Sequence, residues 1–386
     1  MLYWDHAAST PPYDEVIQTM ADVMRKHYGN PSSIHRMGED AAKLIKRARE
    51  VCAASLHVTP SEIILTSGAT EGNNLAIKGT ALQYASRGKH IVTTRIEHPS
   101  VYESCLELEK YGYEVTFLPV DANGRVNPDE FASAVRKDTI LVSVMHVNNE
   151  TGAVQPLAEI GEAVKKANPL AVFHIDGVQG FGKLPVQLKE WKADLYTLSA
   201  HKIRGPKGTG VLYKREGITL HPLLSGGKQE AGVRAGTENI PGFVAMAKAM
   251  RMAGEQTETF MTEVGALRDE LMAWIQKTPS LELNSSPEGA PHIVNVSFPG
   301  MKSEVLLHSL EENGMLVSTK SACSSKIAEP SRVLLAMGRS EASASSAIRI
   351  SMGLTHSRED LRRLLAALES AVKRLEPLRQ EGLNLI

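Results

Sequence analysis

Short apolar, β-branched runs alternate along this chain with longer stretches of helical spacing. The runs are Ile63-Ile64-Leu65-Thr66, His90-Ile91-Val92-Thr93, Val115-Thr116-Phe117-Leu118, Ile140-Leu141-Val142-Ser143-Val144, Ala171-Val172-Phe173-His174, Leu195-Tyr196-Thr197-Leu198 and Gly210-Val211-Leu212-Tyr213. Each run feeds a helix that must pack back onto a sheet, so the pattern predicts an α/β fold. Most runs are continuously apolar, as in a mainly parallel seven-stranded sheet covered on both faces. Polar residues cluster just past their C-terminal ends, the edge at which open α/β sheets bind ligands.

With 386 residues the chain exceeds one ordinary core. After Pro241 the pattern changes: Phe243, Met246, Met250, Val264, Leu267, Leu271 and Trp274 recur by threes and fours, which predicts one long helix interrupted at Gly254. From about Ser280 follow a strand-like Ile293 to Phe298 run and a last helix opened by Ser357-Arg358-Glu359-Asp360, a start resembling a capping box. The expected division is a large ligand-binding domain over 15–255 and a smaller α+β domain from 1–14 and 256–386.

The 43 basic and 44 acidic side chains leave a formal net charge of -1, so no global field draws the chain to nucleic acid or an anionic membrane. The basic Lys43 to Arg49 run has the apolar spacing of a solvated helix face. Met1 to His6 lacks a basic region followed by an apolar one, and no apolar stretch is long enough to span a bilayer. Cys52, Cys105 and Cys323, odd in number and widely separated, argue against a disulfide framework. These features predict a soluble, cytoplasmic protein with no direct nucleic-acid or membrane partner.

The most informative stretch is Ala171 to Asp176, which runs into Gly177-Val178-Gln179-Gly180. Alternation places His174 and Asp176 on one face. The next strand ends in Ser199-Ala200-His201-Lys202, bringing a lysine to the rim beside that carboxylate. The pair fits two readings: a buried ion pair, or a Schiff-base lysine with the carboxylate that a pyridoxal phosphate ring needs at its pyridine nitrogen. A metal site at His174, Asp176 and His201 is a third, opposed by the adjacent Lys202 cation. Ser67-Gly68-Ala69-Thr70 follows the first run and opens a helix, whose free N–H groups attract an anion or simply make an ordinary turn. Glu97-His98-Pro99-Ser100 and His146-Val147-Asn148-Asn149-Glu150 stand at the same edge.

In this order, these segments resemble the fold-type-I pyridoxal phosphate transferases and, in detail, the cysteine desulfurase family. Further matching segments are Tyr3 to Pro11, Gly29-Asn30-Pro31-Ser32-Ser33, Arg234-Ala235-Gly236-Thr237, Ser321-Ala322-Cys323 and Arg349-Ile350-Ser351-Met352-Gly353. The resemblance implies pyridoxal 5'-phosphate as cofactor, held by Lys202, with Asp176 at the ring nitrogen, Gln179 at the ring hydroxyl and His98 stacked on the ring and moving protons. Ala69, Thr70, Ser199 and His201 would bind the phosphate, and Thr237 that of a neighbouring subunit in a homodimer. Asn149 and Arg349 would hold the substrate, L-cysteine. Cys323, among small hydroxylic residues with Lys320 and Lys326 three positions to each side, would be the exposed nucleophile that takes the sulfur as a persulfide.

The implied acceptor is an iron-sulfur scaffold protein or a tRNA-thiolation enzyme. Lys320 stands where long-loop members have glycine, Ala200 where many have glycine, and the tail from Leu375 lacks the longer docking end of scaffold-serving members. The rival enzymes are an aminotransferase or a selenocysteine lyase of the same fold. A catalytically idle scaffold is the rival from outside enzymology. Cys52 and Cys105 fall in helical stretches and read as small buried hydrophobes.

Overall fold

The computed structural model describes residues 1–319 and 329–383, with side chains as far as Leu378. The N-terminal strand β1 is Leu2–Tyr3, and the large sheet follows from β2 (Ile63–Thr66), β3 (His90–Thr94), β4 (Glu114–Leu118), β5 (Thr139–Met145), β6 (Val172–Asp176), β7 (Leu195–Ser199) and β8 (Gly210–Lys214). Their order across the sheet is β2-β8-β7-β6-β5-β3-β4. The pairs along β7-β6-β5-β3-β4 are parallel, while β8 runs antiparallel to both β7 and β2. The reversal follows from connectivity. The short segment from Ala200 to Thr209 has room for one 3-10 turn but no crossover helix, and a parallel return needs a crossover.

Both sheet faces are covered. On one side α1 (Asp14–Lys26), α2 (Arg36–Ser55) and later helices enclose a core that includes Leu65, Val142, Phe173, Ile175 and Tyr196. On the other, α3 (Ala69–Gln83) and α4 (Pro99–Glu109) cover Ile64, Ile91, Leu141, Val172 and Leu212. The continuous burial of β2, β3, β5, β6 and β7 explains why their sequences do not alternate. Cys52 of α2 and Cys105 of α4 are fully buried in these cores, as their helical settings predict.

After α5 (Pro128–Ala134) and α6 (Leu157–Ala167), the predicted long helix is instead two, α7 (Ile240–Glu255) and α8 (Thr257–Gln276). The break falls at Gln256, which ends one helix and starts the other, not at Gly254. There the Gln256 side chain accepts the Tyr13 hydroxyl at 2.7 Å. Beyond it, β9 (Glu282–Leu283), β10 (Ile293–Ser297) and β12 (Ala347–Ser351) form an antiparallel sheet in the order β12-β10-β9, and β11 (Met315–Leu316) pairs with β1. Helices α9 (Ser303–Glu312), α10 (Arg332–Ala336), α11 (Glu341–Ser345) and α12 (Arg358–Leu383) complete the chain. A second core forms around Trp4, Leu271, Phe298, Ile350 and Leu368. The start of α12 is capped reciprocally: Asp360 Oδ2 accepts from the Ser357 N–H and hydroxyl, and Ser357 Oγ accepts from the Asp360 N–H.

One charged residue staples the large sheet. Asp194, fully buried before β7, accepts from Lys165 Nζ at 2.5 Å, Arg215 Nε at 2.6 Å and the Phe173 N–H at 2.8 Å. Removing one member of such a cluster strands the others. Asp194→Ala is expected to lower the unfolding free energy by about 3 kcal/mol, read as a fall in the urea midpoint at unchanged slope.

Candidate active site

A cleft of about 520 Å³ opens at the C-terminal ends of β2, β5, β6 and β7. Its walls include Ala69, Thr70, His98, Asn149, Asp176, Gln179, Ser199, His201, Lys202 and Arg349. The structure therefore gathers residues spread over 280 positions of sequence, which only the parallel sheet and β12 bring together. Thr237 is not among them; it is exposed, away from this cleft. Cys323 and Lys320 lie outside the described residues.

Each side chain is placed by its element. Asp176 ends β6; its Oδ1 accepts the Val178 N–H at 3.1 Å and its Oδ2 the Asn73 amide at 2.9 Å. Lys202 stands on the turn after β7 and donates to the Ala7 and Ala8 carbonyls at 2.6 and 2.7 Å. Gln179 donates to the Ala7 carbonyl and faces the buried His292 ring nitrogen at 3.1 Å. His98 is the N-cap of α4 with Pro99 in its first turn, so the helix start fixes the imidazole at the cleft. Asn149 sits in a loop tied down by Asn148, whose Oδ1 accepts the Glu150 and Thr151 N–H groups. Arg349 of β12, 1% exposed, donates to the Asp5 carboxylate and the Asn149 carbonyl, each at 2.8 Å.

Burial governs the protonation of the ring nitrogens. His98 is pushed below its ordinary value chiefly by burial, with Lys202 and Arg332 acting the same way against Asp176. His201 falls to about 4 through burial and the nearby Lys202, Lys207 and Lys183. His174, down to about 3 by burial, has both ring nitrogens engaged, by the Ser143 and Thr197 hydroxyls at 2.8 and 3.0 Å. It therefore has no lone pair to spare for a cation, and among the described residues no group of three or more His, Cys, Asp or Glu side chains is placed to hold one.

The cleft suits a phosphorylated pyridine aldehyde. Gly68 precedes α3 at φ 149°, ψ -179°, a conformation reserved to glycine, and the first α-helical bond of α3 is Gly72 N–H to Gly68 C=O. The preceding N–H groups of Ala69 and Thr70 lie outside the helical ladder, and both residues line the cleft together with Ser199, His201 and Lys207. A primary amine and a carboxylate, Lys202 and Asp176, line the rest.

Several functional neighbours give no signal in the sequence. Ala7, Ala8 and Ser9 contribute backbone and hydroxyl groups that no residue-type rule singles out. Lys183, 4% exposed, donates to the Lys202 carbonyl at 3.1 Å. Burial and Lys202 bring Lys183 down to about 7. Its folded-state pKa is depressed, so between about pH 7 and 10 the unfolded chain binds the extra proton and stability rises with pH. Lys183→Met is expected to abolish about 2 kcal/mol of the rise between pH 7 and 9, seen by comparing urea unfolding of the two apoproteins at both pH values.

The sequence profile described as Aminotransferase class-V matches residues 2–364. A protein of Dictyoglomus turgidum named Cysteine desulfurase IscS is 42% identical over 98% of this chain and 97% of its own length. The Putative cysteine desulfurase IscS 1 of Bacillus subtilis is 43% identical over 97% of this chain and 99% of its own. Among solved structures, a NifS-like protein superposes with a TM-score of 0.92 at 37% identity, covering 97% of this chain and all of its own. The chain thus belongs to the class-V aminotransferase family and, within it, to the pyridoxal-phosphate-dependent cysteine desulfurases.

Proposed function

We propose that this chain converts L-cysteine to L-alanine in the described cleft and carries the sulfur away as a persulfide on Cys323. The observation that carries this reading is a backbone pairing. Ser318 and Arg349 exchange N–H to carbonyl bonds at 3.1 and 2.7 Å, so the chain leading to Cys323 starts beside the arginine that lines the cleft. Five residues reach at most about 18 Å, enough to bring a thiol from that anchor to the cleft. On the far side, Ser331 donates to the Glu150 carboxylate at 2.6 Å, next to Asn149.

Pyridoxal phosphate, when bound, supplies an electron sink for the carbon that loses its proton. Lys202 would hold it, Asp176 would face its ring nitrogen, Gln179 its hydroxyl, and Ala69, Thr70, Ser199 and His201 its phosphate. Arg349 and Asn149 would orient the substrate; the guanidinium is preset by Asp5 and keeps a buried Nε–H with no hydrogen-bond partner among the described residues. That donor fork suits an α-carboxylate. Lys202 and His98 would move protons at the substrate carbons. The Cys323 thiolate then attacks the substrate sulfur: a sulfur–sulfur bond forms, the carbon–sulfur bond breaks with its pair left on carbon, and that carbon takes up a proton to give alanine.

A homodimer is the proposed unit, supported by the exposure of Thr237 away from its own cleft. The acceptor is a protein thiol serving an iron-sulfur scaffold or a tRNA-thiolation enzyme. Unpaired, buried Cys52 and Cys105 agree with a reducing cytoplasm, and among the described residues no helix is long and apolar enough to cross a membrane. One solved relative, 37% identical with a TM-score of 0.81 over 91% of this chain, is described as SspA in complex with cysteine, which makes L-cysteine the substrate to test.

The test combines a visible spectrum with alanine and sulfide measured after L-cysteine addition. Wild type is expected to carry a visible cofactor band and form both products, Cys323→Ala to keep the band and lose turnover, and Lys202→Ala to lose at least about a thousandfold in rate. A coloured protein indifferent to Cys323→Ala would move the reaction to a transaminase, and a colourless one would sink the enzyme. Arg349→Lys is expected to raise KM for L-cysteine at least about tenfold, since the charge stays and the fork is lost.

A further inference from the structure

Behind His98 runs a chain of hydrogen bonds that the proposed reaction does not call on. Asn73, in the second turn of α3, is fully buried. Its Nδ2 donates twice, to Asp176 Oδ2 and to Ser100 Oγ, both at 2.9 Å. Its Oδ1 is buried and accepts nothing among the described residues. An amide seeking its own satisfaction would not settle this way. Turning it over would set an oxygen against the Asp176 carboxylate, two acceptors face to face, so the carboxylate dictates the orientation.

Ser100 inherits that constraint. Having accepted from Asn73, its hydroxyl donates its own hydrogen, and His98 Nδ1 lies 2.8 Å away. The Ser100 backbone N–H points at the same nitrogen from 3.2 Å. Two donors converge on Nδ1, which leaves the imidazole proton only Nε2.

We propose that Asn73 and Ser100 are positioning residues that carry the orientation set by the Asp176 carboxylate through to His98, fixing its neutral ring as the Nε2–H tautomer with Nδ1 as a permanent acceptor. The inference rests on the placement of His98 in the active centre. Its consequence is that His98 exchanges protons at Nε2 alone, because a proton on Nδ1 would meet the Ser100 N–H and leave the Ser100 hydroxyl accepting from both sides, its hydrogen turned away from the ring. The charged groups facing the ring are Asp176 of β6, Lys202 after β7 and Arg332 of α10. Asp176 consequently acts on His98 in two senses: through space it favours the imidazolium, and through the relay it favours the neutral ring.

A bare helix cap offers the competing account, since the Ser100 N–H alone could hold Nδ1. The two are separated by nitrogen-15 spectra of the histidine-labelled holoenzyme, with His98 assigned from its absence in His98→Gln. Wild type is expected to show one tautomer with Nδ1 unprotonated. Ser100→Ala keeps the backbone donor and loses the hydroxyl; it is expected to populate both tautomers and to move the His98 titration up by about one pH unit. Ser100→Thr restores the wild-type spectrum, and Asn73→Leu, close in volume, shifts it in the direction of Ser100→Ala. A mixed or Nδ1-protonated wild type, or a Ser100→Ala spectrum identical to wild type, overturns the relay. Alanine formation from L-cysteine is followed separately on the same wild-type sample: its absence beside the expected tautomer would defeat the proposed reaction and leave the relay standing.

Discussion

The ammonium of Lys202 is held by two backbone carbonyls, those of Ala7 and Ala8, and much of the site depends on that contact. Those carbonyls belong to the turn that follows β1 in the N-terminal segment, whose other residues bind elsewhere. Leu2 and Tyr3 pair with β11, Trp4 is buried in the core beside β10 and β12, and Asp5 grips Arg349. Thr10 continues the seam, its N–H and hydroxyl both donating to the His201 carbonyl at 2.9 and 2.8 Å. One short stretch thus sets the positions of a lysine on the large sheet and an arginine on the small one. The cleft between them is defined by a segment whose turn carbonyls hold the lysine and whose Asp5 carboxylate holds the arginine.

Burial then decides which groups in that cleft carry charge. His98 and His201 are held neutral because an imidazolium would lose its hydration among packed apolar walls and would stand near Lys202. Among the described residues, the basic side chains that line the cleft with these histidines are Lys202, Lys207 and Arg349. Against them stand Asp176 inside and Glu71, whose carboxylate is drawn below the usual range by burial-opposing bonds from Arg234 and Ser67. Such a balance accepts a dianionic phosphate and an α-carboxylate without importing further charge, while neutral histidines remain able to accept or donate single protons.

How much of this is readable from residues alone depends on the kind of interaction. The sheet is legible because burial on both faces imprints continuous apolar runs on β2, β5 and β6, and Lys202 and Asp176 are legible because a lysine and a carboxylate at adjacent strand ends are chemically costly. The break at Gln256 is not, since α7 and α8 share one apolar periodicity, and what divides them is a tertiary contact with Tyr13. The antiparallel β8 escapes for a similar reason: its composition matches its neighbours, and only the short Ser199 to Gly210 connection reverses it. Asn73 and Ser100 lie inside recognisable segments, yet their meaning comes from a triangle among α3, α4 and β6 that no linear spacing encodes. Carbonyl acceptors such as those of Ala7 and Ala8 leave no trace in side-chain identity at all.

The placement of the thiols completes the physical logic. Sulfur transfer needs a thiolate, and burial pushes the Cys52 thiol up to about 12 and that of Cys105 higher still, in helices whose sides face the sheet. Neither can ionise at neutral pH, and neither lines the cleft. A nucleophile fixed inside the cleft would meet a second difficulty, for a persulfide formed there would have to be reached by the acceptor through the same mouth that admits the substrate. In the proposed reaction that role falls to Cys323, which follows Ser318 by five residues and precedes Ser331 by eight, where Ser318 is bonded to Arg349 and Ser331 to Glu150. Its five residues from Ser318 set the limit, a reach of at most about 18 Å from that anchor. Under that proposal the thiol that meets the substrate is the one an acceptor collects from, and the sheet that carries Lys202 and Asp176 serves only the first encounter.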